Sequence, residues 1–330
     1  MANDVRSLLR AGQASRKARD FRAAAEGFRQ ALLLEPGHAQ ALQGLADAYR
    51  GLRDHVRCLE TWDRYLALYP QDERVWTRVG DACRRTGAHE RAAAFYEKAL
   101  ALDPGNRYAL MGLGDLHLRL HRPEEALACW ERLLALDPGH AHVQVLVGQH
   151  YRRKLDFERA ATHFRAALAL EPGHTSALFG LADALRGMGS FEEAAPLWDA
   201  LLEADPGNRV ALTRAGDCFC RLGQLDKAEA LYRRVLVDGF DRAAEFGLAR
   251  VQLQRGAYDE AVRRYEAVLA ANPEDPRAIL QKGQALTQWR GRSAGLAYLE
   301  AQRASHPGLP EIVHALARMS RDVRPPGRRP

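Results

Sequence analysis

Residues 73–106, ERVWTRVGDACRRTGAHERAAAFYEKALALDPGN, hold two short amphipathic segments divided by Gly87 and closed by Asp103-Pro-Gly-Asn106. The spacing predicts one helix from about Glu73 to Thr86 and a second from about His89 to Leu102, with Gly87 in the left-handed position that ends the first. Pro104 cannot continue a helix, and Asn106 is suited to cap the next one. Turns this short force neighbouring helices antiparallel.

The same stretch returns along the chain. Pro36, Pro70, Pro104, Pro138, Pro172 and Pro206 stand 34 residues apart, and the series resumes at Pro273 and Pro307. Gly189, Gly223 and Gly256 take the place of Gly87 in their own copies. A fixed period of this size marks a solenoid, whose units are too small to bury an apolar face alone and must stack on their neighbours. The fold class expected is therefore all-α, with one continuous repeat domain rather than two globular ones. Such an array offers a long surface to partners rather than a pocket for chemistry.

Within the helices Trp76, Val79, Gly80 and Cys83, then Ala92, Tyr96, Ala99 and Pro104, resemble the signature of the tetratricopeptide repeat. The match returns as Leu110, Leu113, Gly114, His117, Ala126, Trp130, Leu133 and Pro138, and as Leu178, Leu181, Ala182, Leu185, Ala194, Trp198, Leu201 and Pro206. The resemblance covers about 90% of the chain and implies nine units, beginning near residues 5, 39, 73, 107, 141, 175, 209, 242 and 276. It implies a right-handed superhelical solenoid over 1–309, in which a small residue lets helices approach and an aromatic fills the space above it. Residues 310–322 read as a capping helix with Ile312, Val313, Leu316 and Met319 on one face, and the basic tail 323–330 as disordered. Leu8 and Leu9, with no helix before them, are expected to lie partly bare. The segment Val237–Asp241 is one residue short and lacks the proline, so the local twist should change there.

Formal charge is +6, but the ends 1–22 and 310–330 supply +4 and +3, leaving the interior near −1. A basic balance confined to the termini disfavours nucleic-acid binding, which stays a third expectation behind protein binding and self-assembly. The five cysteines, Cys58, Cys83, Cys129, Cys218 and Cys220, read as buried reduced thiols. No apolar segment is long enough to span or anchor in a membrane, and MANDVRSLLR has no apolar leader core. These features favour a cytoplasmic protein.

Motifs that carry chemistry are missing from the sequence: there is no nucleophile elbow, phosphate-binding loop or H-E-x-x-H. Gly112-x-Gly114 follows the repeat spacing and reads as packing. His38, His140 and His174 share one repeat position, about 10 Å apart, too far to hold a common ion. His117 and His121, at i and i+4, are read as structural because His117 stands where the signature buries an aromatic, and Cys218-x-Cys220 is too tight for a zinc knuckle. No enzyme activity, cofactor or metal is expected.

The resemblance places the first helix of each unit on a concave face, with its second, fifth, sixth, ninth, twelfth and thirteenth positions inward. Asp47, Asp81, Asp115, Gln149, Asp183 and Asp217 share the ninth position, with Arg50, Arg84, Arg119, Arg186 and Arg221 one turn on. They form either surface ion pairs or a polar ladder for an extended peptide. Tyr108, Met111, Leu118, Val145, Leu146, Phe179 and Phe246 are apolar at inward positions, and Met111, Val145 and Phe179 are expected as anchors. Arg74 and Arg78 are expected to take an acidic flank. The lysine and asparagine clamp of chaperone-tail receptors is disfavoured, because Thr77, Asp81 and Gly112 fill its places. The asparagine ladder of the glycosyltransferases is disfavoured by Gly44, Arg78, Gly112, Leu146, Gly180 and Arg214. The expectation is a non-enzymatic scaffold or adaptor that binds a protein or peptide partner in this groove, with homo-oligomer formation as the alternative.

Overall fold

A computed structural model describes residues 4–321, and the proposed tail 323–330 lies outside them. Nineteen α-helices and no strand occur among the described residues. They divide into two compact units, the first ending at Arg153. The first unit holds α1 (Val5–Lys17), α2 (Phe21–Leu34), α3 (Ala39–Gly51), α4 (His55–Leu68), α5 (Glu73–Arg85), α6 (His89–Leu102), α7 (Arg107–Arg119), α8 (Pro123–Leu136) and α9 (Ala141–Arg153). The second holds α10 (Phe157–Leu170), α11 (Thr175–Met188), α12 (Phe191–Ala204), α13 (Arg209–Arg221), α14 (Leu225–Leu236), α15 (Arg242–Gln254), α16 (Tyr258–Ala271), α17 (Pro276–Arg290), α18 (Arg292–Ser305) and α19 (Pro310–Arg321).

Capping sets these boundaries. Asn106 accepts from the Ala109 amide at 3.0 Å, Asn208 from that of Ala211 at 3.0 Å, and Asp241 from that of Ala244 at 2.9 Å. Gly87, Gly189, Gly223 and Gly256 take φ of 80°, 81°, 74° and 77°, the left-handed conformation expected of them. Where the repeat lacks that glycine the backbone adopts the same geometry regardless, at Arg19, Arg53, His121 and Leu155. At the short junction α14 has 12 residues, two fewer than the other even-numbered helices of this unit, and Gly239 carries φ 123°.

One packing element recurs. Phe28 on α2 lies where a Cβ on Gly12 or Gly44 would be, 3.0 and 2.4 Å from its ring. Tyr96 on α6 does the same to Gly80 and Gly112, at 2.7 and 2.5 Å, and in the second unit Tyr232 on α14 to Gly216 and Gly247, at 2.7 and 2.3 Å. An aromatic of each such even-numbered helix is therefore held between glycines of the two odd-numbered helices that flank it. Gly114 makes room for the indole of Trp130 in the same way. The sixth-position glycines are thus packing residues, not members of an open inner face. Where that position is Arg78, its guanidinium stacks on Trp62 instead, 4.8 Å from the ring centroid.

All five cysteines are buried and free, and burial pushes the Cys58, Cys83, Cys129 and Cys218 thiols up, the last to about 11. At the far end of the second unit Ile279, Leu299, Ile312, Ala315 and Leu316 form a core that α19 closes. Val313, expected on that face, is exposed. Leu9 is buried in the first unit's core, against the expectation that it lies bare, and Leu8 packs partly beside it. Gly112→Ala should lower stability by about 1–2 kcal/mol, because overpacking against Tyr96 outweighs the gain in helix propensity. Urea unfolding followed by circular dichroism checks this.

Candidate functional site

Carboxylates at the ninth position of the odd-numbered helices do two different things. Asp47 on α3 is 8% exposed and is surrounded by guanidinium groups from three helices. Arg16 of α1 pairs with it at 3.0 Å and Arg50 of its own helix at 3.2 Å, and Arg78 of α5 completes the set. In the second unit Asp183 is buried between Arg186 at 2.7 Å and Arg214 of the next odd helix at 3.1 Å. Asp217 accepts the Tyr232 hydroxyl at 2.7 Å and pairs with Arg250 of α15. The expected pairs within one helix, Asp47–Arg50 and Asp183–Arg186, are present, and each of these aspartates also ties successive repeats together.

Asp81 and Asp115 are less fully answered. Asp81 accepts the Tyr96 hydroxyl at 2.7 Å and has Arg84 at 3.6 Å. Arg84 is shared with Asp115 on α7, at 4.0 Å. The aromatic fifteen residues after Asp115 is Trp130, which has no hydroxyl to give, and its Nε1 finds no partner among the described residues. Asp115 is 35% exposed yet sits in a desolvated place. Burial pushes its carboxyl up, against the pull of Arg84, His142 and Arg119. Tyr108, Met111 and Asp115 follow one another at i, i+3 and i+7 and share one stripe of α7. Tyr108 is 82% exposed, and Met111 is half-buried against the core.

Two models of the tetratricopeptide repeat match the sequence, one over residues 15–78, 84–149 and 155–197, the other over 59–107, 179–245 and 246–310. The chain belongs to the tetratricopeptide-repeat (TPR) family. No curated protein matches it significantly. Among solved structures it resembles the C-terminal part of a TPR protein from Cytophaga hutchinsonii, with TM-score 0.60 and 18% identity over 73% of this chain and 99% of that one. It also resembles PilW, a widely conserved type IV pilus biogenesis factor, with TM-score 0.53 and 21% identity over 64% and 98%. YrrB, a TPR protein with an unusual peptide-binding site, aligns with TM-score 0.51 and 22% identity over 57% and 97%.

Of the TPR positions expected to face a partner, the first unit brings Asp81, Tyr108, Met111 and Asp115 onto α5 and α7. Arg74 is exposed on α5, and Gln149 is half-buried on α9. Arg78 is committed to Asp47 and Trp62, so it is part of the structure that an acidic flank would have to displace. Val145 is 2% exposed and has no side-chain surface to offer, since α9 is buried around most of its circumference. Phe179 lies in the second unit, edge-on to Trp198 with centroids 5.4 Å apart, and Phe246 there is buried between Tyr265 and the guanidinium groups of Arg242 and Arg277. Packing accounts for Val145 and Phe246, whereas Phe179 is half-buried. Column reading also missed the phenols that bond the aspartates, although Tyr96 and Tyr232 each stand fifteen residues after their Asp.

The aspartates should separate in stability measurements. Asp47→Asn leaves guanidinium groups without their counter-charge and should lose about 1–3 kcal/mol. Asp115→Asn should be neutral or stabilising at pH 7, because a carboxyl whose pKa is raised by folding is relieved, not weakened, by losing its charge. That advantage should fade as pH falls through the raised value, where the wild-type side chain is neutral too. Thermal unfolding of both variants from pH 7 to pH 4 checks the pair.

Proposed function

We propose that the chain is a non-enzymatic adaptor and that the first unit contacts its partner through Asp81, Arg84 and Asp115, with Tyr108 and Met111 beside them. Protein–protein interaction is the general mode of the TPR family. The observation that carries the finer reading is Asp115. Asp47, Asp183 and Asp217 are answered by arginine or tyrosine and Asp81 in part by Tyr96, whereas Asp115 is held in a desolvated place with its ion-pair partner Arg84 4.0 Å away. Retaining a group that works against stability is what a binding role explains. Backbone N–H groups or a basic side chain of a bound segment would supply the missing donors. The exposed Tyr108 ring would give contact area at little entropic expense.

Affinity capture followed by titration of the purified partner tests this. Tyr108→Ala combined with Asp115→Asn should weaken binding by about tenfold or more while the helical content stays intact. Unchanged affinity would remove this face from the account.

A further inference from the structure

A cavity of about 340 Å³ opens between α3 and α5, outside the stripe just described. Cys58, Trp62 and Ala82 form its floor, and Arg50, Arg53, His55, Arg78 and Arg85 its walls. Of the two carboxylates that border it, Asp47 pairs with three arginines and Asp81 accepts from Tyr96 with Arg84 beside it. Arg53 and Arg85 have no acidic partner among the described residues. The walls therefore carry positive charge that the protein does not neutralise.

The cavity opens at a repeat step that lacks an apolar contact made at two other steps. At the first step Phe21 fills the corresponding place, lying where a side chain on Gly51 would be, 2.5 Å from its would-be Cβ. In the second unit Phe157 does the same beneath Gly187, at 2.7 Å. At the step between α3 and α5 those two positions are His55 and Arg85, and the apolar plug is gone. Helices α1 and α3 touch directly, as do α5 and α7, whereas α3 and α5 lack that extended contact. A basic last turn also answers the helix dipole, which accounts for Arg50 and Arg85 as residue types. It does not account for Arg53, which lies beyond the helix in a left-handed conformation where other units place glycine and still contributes to the wall.

A second depression adjoins the first and shares Asp47 and Arg50, with Arg16, Lys17 and Arg19 around it. Together they make a basic track across the ends of α1, α3 and α5, with about 10 Å from one repeat to the next. We propose that this track binds an acidic segment of a partner polypeptide, with one carboxylate side chain entering the cavity between Arg53 and Arg85. The planar guanidinium fork matches a carboxylate, and the cavity is of a size to take an acidic side chain and its flanking backbone. A single-stranded nucleic acid fits less well: the aromatic in the cavity, Trp62, is 2% exposed and covered by Arg78, so it gives no platform for base stacking. The inference rests on the adaptor reading and adds the chemistry of the partner.

Fluorescence anisotropy with the full chain and a labelled deca-glutamate peptide tests it, with deca-glutamine and an oligothymidylate of equal length as comparisons. Deca-glutamate should bind and deca-glutamine should not, and Arg53→Gly with Arg85→Gln should weaken the binding by about tenfold or more. The variant should unfold at an unchanged or higher temperature, since glycine suits the left-handed backbone at position 53. Equal binding by wild type and variant would overturn the proposal, as would tighter binding of the oligothymidylate lost in the same variant. A chain that fails to bind deca-glutamate but loses its captured partner through the Tyr108 and Asp115 substitutions would remove this proposal and leave the adaptor reading standing.

Discussion

The clamping of one aromatic ring between two glycines is the contact on which the architecture depends. Phe28, Tyr96 and Tyr232 each reach from an even-numbered helix to the odd-numbered helices on both sides, and at each end the neighbour is a backbone with no Cβ. The ring joins the helices of its own repeat and fixes the next repeat onto them. Since each buried aromatic contributes on the order of 3–5 kcal/mol by truncation, no short helical hairpin of this kind needs a core of its own. The 34-residue period is the sequence consequence: glycine and aromatic must recur in register for the clamp to form.

Charge is arranged around that clamp. Where Arg78 replaces the sixth-position glycine, its guanidinium lies on Trp62 and its charge reaches back to Asp47. Arg214 reaches Asp183 from the same repeat position, and Arg250 reaches Asp217 from one helix further on in the series. The aspartates therefore divide into those that tie repeats together and those left with open hydrogen-bonding capacity, Asp115 above all. Polar groups of the second kind are the ones that a partner would complete, and in the first unit they lie on α5 and α7.

Much of the fold was legible from spacing alone. Pro104, Gly87 and Asn106 mark a turn, a stop and a cap by covalent geometry, and the structure places helix ends within a residue of where they predict. The site was less legible. A position number gives the direction of a side chain on an isolated helix, not what the neighbouring repeat does with it. Val145 was read as an open anchor and is buried; Asp47 and Asp183 make the pairs expected with Arg50 and Arg186, but they also cross-link to other repeats through Arg16, Arg78 and Arg214, which the columns did not show. Arg53 and His55 fall in a turn and at a helix start, outside the inward columns, so column reading passed over them. Their signal was weak, since His89 stands at the same place as His55 in the next repeat, and the loss of an apolar contact there was visible only once the packing role of Phe21 and Phe157 was known.

The account places partner recognition on one face of the first unit, and hydrogen exchange read by mass spectrometry tests that most directly. With the captured partner bound, slowed exchange should concentrate in peptides from α3, α5 and α7 and in the turn that holds Arg53, while α2, α6 and α8 keep their free-state rates. Protection confined to those even-numbered helices, or to the second unit, would contradict it.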